Sequence, residues 1–134
     1  MNIYILTSDK NIKYTEGLQY CVNKYWKPNP NVTILGYKKP LFKLDKNFKF
    51  ISLGKDRGAS HVGEDLIKFF NSIEDKHFIF SVDDFFPIRY VNINLFEYLK
   101  NKMIEENISR IISSSFEIIS RFQMLSIVRL SFIF

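Results

Sequence analysis

Asp83 and Asp84 follow the apolar run Phe78-Ile79-Phe80-Ser81-Val82 and precede Phe85 and Phe86. Adjacent carboxylates in such a setting repel one another unless a cation or a basic group lies near. A hard divalent ion, Mg²⁺ or Mn²⁺, suits them. It takes oxygen ligands and is commonly held by one or two carboxylates, with water and diphosphate oxygens completing the shell. The plainer alternative is a turn in which Asp bonds local backbone groups and Pro87 closes the turn. The position directly after a strand-like run favours the cation.

Two further polar segments close similar runs. Thr7, Ser8 and Asp9 end the run that starts at Ile3, and Gly54-Lys55-Asp56-Arg57-Gly58 follows Phe48 to Leu53. In an open parallel sheet, ligands bind outside the carboxyl ends of the strands, where loops converge and helix N-termini point at the crevice. The three segments therefore mark one candidate edge, with a plain exposed turn as the alternative at each.

Strands and helices must bring these segments together. Ile3 to Thr7, Val32 to Tyr37, Phe48 to Leu53 and His77 to Val82 are short runs rich in β-branched or aromatic residues and read as strands. Tyr14, Leu18, Cys21, Val22, Tyr25 and Trp26 fall on one helical face, and Pro28 and Pro30 stop that helix. Leu66, Ile67, Phe69, Phe70 and Ile73 mark a second helix, with Glu64 and Asp65 in a first turn whose dipole favours anions. The order is βαβ, a basic loop, then βαβ. Such alternation predicts an α/β fold: a Rossmann-like, mostly parallel sheet with helices on both faces.

After Pro87 the chain has neither Gly nor Pro. Asn94 with Glu97 three residues on predicts a capped third helix through Leu95, Phe96, Leu99 and Met103. The apolar stretch 111–134 holds Glu117, Arg121 and Arg129, too many charges for a membrane span. It admits three readings: a terminal strand or helix covering the sheet, an interfacial amphipathic segment, or residue of a truncation or frame change. It also offers a surface for self-association.

At 134 residues, 46% of them apolar, the chain is sized for one domain with a buried core, and a disordered tail is excluded. We divide it into a binding part, 1–110, and the apolar segment, 111–134. Cys21 is the lone cysteine, so a disulfide framework and a thiolate zinc site are excluded, and a reducing, cytoplasmic setting fits. Cys21 itself reads as a small core hydrophobe. The net charge of +5 is concentrated in Lys38, Lys39, Lys43, Lys46 and Lys49, read as a solvated loop. No nucleic-acid module pattern accompanies it. No phosphate-binding or dinucleotide glycine motif is present, and Gly58-Ala59-Ser60-His61-Val62-Gly63 places its second glycine one residue too late for a nucleophile elbow. His61 and His77 lack metal-ligand spacing.

The βαβ-βαβ order ending in Phe80-Ser81-Val82-Asp83-Asp84-Phe85-Phe86 resembles the nucleotide-sugar-binding half of GT-A glycosyltransferases, over about residues 1 to 105. Ile51-Ser52-Leu53-Gly54-Lys55-Asp56-Arg57-Gly58 with the helix after it also looks like small glycosyltransferase-like proteins of bacterial and viral sugar-gene clusters. The resemblance implies that an Asp-any-Asp-like motif holds Mn²⁺ or Mg²⁺ against the diphosphate of a sugar donor. Asp84 would be the direct metal ligand and Asp83 would approach the ribose or the metal's water. Thr7, Ser8 and Asp9 would edge the nucleoside pocket, Lys55 and Arg57 would neutralise phosphate charge, and Asp56 would contact base or ribose. Ser81 stands where the family often has its first acid. The implied activity is transfer of a sugar from a nucleoside diphosphate to an unknown acceptor, with a non-catalytic nucleotide- or partner-binding module as the alternative. The family's acceptor and base residues come largely from the half after the acidic motif.

Overall fold

The computed structural model describes residues 1–84, 86–108, 110–112 and 117–120. Along the chain lie β1 (Ile3–Leu6), α1 (Thr15–Tyr25), β2 (Val32–Gly36), β3 (Phe48–Ser52), α2 (Val62–Ser72), β4 (His77–Val82), α3 (Ile93–Glu105), β5 (Arg110–Ile112) and β6 (Glu117–Ser120). They build one six-stranded sheet in the order β3-β2-β1-β4-β6-β5. The first four strands are mutually parallel. β6 runs antiparallel to β4, and β5 antiparallel to β6. The expected α/β architecture is therefore present.

Side-chain alternation along each strand feeds two separate cores. Ile3, Ile5, Val32, Ile34, Phe48 and Ile79 meet Leu18 and Val22 of α1 and Phe96 and Met103 of α3 on one face. On the other face Tyr4, Leu35 and Phe78 meet Leu66 and Phe70 of α2. There Phe70 stacks on Phe78 with ring centres 4.6 Å apart, and Tyr4 meets both rings edge-on. The Tyr4 hydroxyl donates to Asp75, which also accepts twice from the Asn2 amide at 3.0 and 2.9 Å. Burial and this carboxylate push the Tyr4 phenol above its ordinary range. This cluster pins the turn before β4 to the amino edge of the sheet.

Asn92, not Asn94, caps α3: its side chain accepts from the Leu95 amide at 3.3 Å. The cause lies just upstream. Val91 N–H donates to the Tyr25 carbonyl at 2.9 Å, which fixes the chain to the end of α1 and leaves Asn92 at the helix start. Glu97 pairs instead with Lys100 at 2.6 Å. The 111–134 stretch departs from a simple covering element. β5, starting at Arg110, and β6 extend the sheet in its own plane beyond β4, and the remainder from 121 onward lies outside the described residues. No helix among the described residues is long and apolar enough to cross a membrane.

The lysines at 38, 39, 43, 46 and 49 are all exposed. Their loop is not loose. Leu44 packs on the α1-side core, and the Asp45 N–H donates to Gln19 Oε1 at 2.8 Å.

Candidate functional site

At the carboxyl edge, β1 and β4 are neighbours, yet the chain leaves β1 toward β2 and leaves β4 toward β5 and β6. Connections that part in this way open a crevice at the topological switch point. Thr7 and Asp83 are the residues that follow these two strands.

Both are buried, at 3% and 7% exposure. The Asp83 N–H donates to the Leu6 carbonyl at 3.1 Å and extends the β1–β4 ladder by one residue. That step turns the Asp83 carboxylate inward, where it accepts from the Thr7 hydroxyl and, at 3.5 Å, from the Asn11 amide. Asp84 is exposed, and no hydrogen bond or ion pair holds it among the described residues. The two acids therefore divide: one seals the strand ends, the other stands at the rim. Phe85 lies outside the described residues.

Gly36 completes the tight end of this edge. A Cβ there would sit 3.1 Å from Thr7 Cγ2 and 3.2 Å from the Thr7 carbonyl oxygen, so the absence of a side chain lets β2 approach β1 closely.

The remaining sequence-predicted residues serve neighbouring loops. Ser8 accepts at its carbonyl from Asn11 and Ile12 and starts the short 3-10 turn Ile12–Tyr14. Asp9 accepts from the Lys38 N–H at 2.9 Å and lies 3.4 Å from its ammonium, tying the loop after β1 to the loop after β2. Lys55 is exposed. Asp56 accepts from the Gly58 N–H at 2.8 Å, a local turn helped by the positive φ of Gly58. Arg57 is committed to α2, donating to Asp65 at 2.6 Å and to Glu64 at 3.1 Å. β3 is three strand positions from β4, or ~14 Å at the usual spacing. Strand placement thus unites Thr7 with Asp83 and keeps the Lys55–Arg57 loop at a distance from both.

Asp65 is the residue that sequence reasoning placed only in a helix's first turn. It is buried at 6% exposure and accepts from Arg57 and from the Tyr37 hydroxyl, the latter at 3.1 Å. Burial works against its charge, but the bonds from Arg57 and Tyr37 prevail and hold the carboxyl below its ordinary range. Burial first, then the Asp65 carboxylate, push the Tyr37 phenol up to about 12. Asn11 was likewise unmarked, although it stands four residues beyond Thr7, one turn into the loop.

No group of three or more His, Cys, Asp or Glu side chains is gathered for a metal among the described residues. The donor set therefore does not fit an all-protein cage. It fits an ion that takes a single rim carboxylate, Asp84, and fills its shell with water and a ligand's phosphates. Three cavities of about 440, 290 and 310 Å³ open elsewhere, beside α1 and at the amino edge.

No family profile matches the chain, and no curated protein matches it in sequence. Solved structures do. The apo-form of the glycosyltransferase GlyE of Streptococcus pneumoniae TIGR4 superposes with a TM-score of 0.57 at 9% identity, over 96% of this chain and 36% of that one. A second structure of the same glycosyltransferase gives 0.58 at 10% identity, over 93% and 35%. This chain spans about a third of the length of those neighbours. At such identity the likeness concerns the fold alone, and by it the chain has a glycosyltransferase-like α/β fold.

Proposed function

We propose that this domain binds a nucleoside-diphosphate sugar at the carboxyl edge of its sheet, in the manner of a GT-A glycosyltransferase, and transfers the sugar to an acceptor. The observation that carries the reading is the division of labour at the switch point. Thr7 and Asn11 hold Asp83 inward, and this leaves Asp84 as a free carboxylate at the rim of a glycosyltransferase-like fold. Asp84 holds Mn²⁺ or Mg²⁺, and Asp83 positions the turn that carries it. When bound, the ion supplies positive charge against the diphosphate leaving group. Arg57 braces its own loop on α2, three strands away from this rim.

Calorimetric titration of UDP or GDP, with and without Mn²⁺, tests this on the parent protein and on Asp84→Ala. The expected result is metal-dependent binding that the substitution removes. Equal, metal-independent binding in both proteins defeats it. A second reading, nucleotide binding without turnover, is favoured by the commitment of Arg57 to Asp65 and Glu64 rather than to a ligand. Release or transfer of a labelled donor sugar separates the two.

A further inference from the structure

We propose that the loop between β2 and β3 docks on an anionic lipid surface, with Leu41 as the side chain that enters the lipid. This stands independently of the donor site. Leu41 is wholly exposed, at 105% of its reference area, above every other large apolar side chain among the described residues. Solvent exposure of a Leu is ordinary on its own; here the loop is held so that it stays exposed. Pro40 immediately before it is buried, Leu44 is anchored in the core, and Asp45 is bonded to Gln19 and, at 2.6 Å, to Asn23. The apolar tip is thus presented by a braced loop.

The charge around the tip selects the partner. Lys38, Lys39 and Lys43 lie within three residues of Leu41 and are exposed. Lys38 faces Asp9, whereas no carboxylate lies within ion-pair distance of Lys39 or Lys43 among the described residues. The Asp9–Lys38 contact also brings the segment bearing exposed Lys10 alongside. An apolar side chain rimmed by lysines matches the boundary of an anionic bilayer, where the chain enters the acyl region and ammonium groups meet headgroup phosphates. A nucleic acid is a poorer match. Residues 37–47 contain no Arg, Phe42 is half-buried rather than presented for base stacking, and a bare Leu gains nothing from a phosphate backbone.

Co-sedimentation of the full chain with vesicles tests the proposal, comparing pure phosphatidylcholine with phosphatidylcholine containing one-quarter phosphatidylglycerol. The protein is expected to partition onto the anionic vesicles alone and to be released by high salt. Leu41→Ser, at a position that makes no core contact, is expected to keep its circular dichroism and lose roughly tenfold in partition. Lys39→Glu with Lys43→Glu removes partition altogether, each lysine being worth roughly fivefold before reversal. Absence of partition onto anionic vesicles overturns the proposal. So does an unchanged affinity of Leu41→Ser, which reduces the patch to charge alone, or retention on RNA in preference to the vesicles.

Discussion

The hydroxyl of Thr7 donates to the carboxylate of Asp83, joining the ends of β1 and β4 across 76 positions of sequence. Both side chains are shut away from water, so the bond is the means by which a charged group is accommodated at the sheet's edge. It also decides which of two adjacent acids faces outward.

Removing the donor tests this closure. Thr7→Val keeps the shape of the side chain and leaves Asp83 with the long contact from Asn11 only. A loss of about 1–3 kcal/mol in urea unfolding is expected, the usual cost of an abandoned buried partner. Thr7→Ser retains the hydroxyl and should recover most of it. Equal stability of the Val variant and the parent shows that the bond does not hold the edge together.

Asp84 should behave in the opposite way. It is exposed and without a protein partner among the described residues, so Asp84→Ala is expected to leave the melting temperature unchanged. Its loss appears instead in Mn²⁺-dependent nucleotide binding, which should weaken at least about tenfold if one of the ion's few ligands is gone. A destabilised variant with intact binding would contradict the assignment of roles.

Acidification reports on Asp65. Its carboxyl is held below the ordinary value by Arg57 and Tyr37, so ionised Asp65 contributes stability at neutral pH. That contribution is lost as pH falls from about 4, the unfolded value, through the folded one. Arg57→Gln takes away the stronger partner; the variant should be less stable at neutral pH and lose less on passing to about pH 3. Urea midpoints at the two pH values decide it, and parallel losses in both proteins reject the pairing.

The aromatic stack on the α2 face supplies a stability control remote from the rim. Phe70 is 1% exposed and packed against Phe78, Tyr4 and Phe80. Phe70→Ala is expected to cost about 3–5 kcal/mol, with a cavity between α2 and the sheet. A cost below about 1 kcal/mol indicates that this face is not packed as described.

What could be read in the chain follows from how local each signal is. β1 to β4 and α1 and α2 were legible because every run carries its own periodicity and its own stop signal, as Pro28 and Gly54 do. The cap of α3 was misplaced by two residues because Asn92 and Asn94 are equally good caps, and the tie is broken by a tertiary contact, Val91 to Tyr25. The same holds at the rim. Asp83 and Asp84 look alike in sequence, and only Thr7 on a different strand separates them. Arg57 could not be assigned to Asp65 rather than to a phosphate without the position of α2. The stretch after Ile111 carries neither Gly nor Pro to mark two short strands, and their order in the sheet is set by pairing partners far upstream.

That order has a consequence for synthesis. β6 is the last strand among the described residues, yet it lies between β4 and β5. While the ribosome is still translating, β4 can assemble with β1, β2 and β3 but keeps one bare edge, and β5 waits with nothing to join. A nascent chain arrested before Glu117 therefore presents an open ribbon of unsatisfied amides and carbonyls, the state most prone to wrong partners. Completion of a four-residue strand closes it.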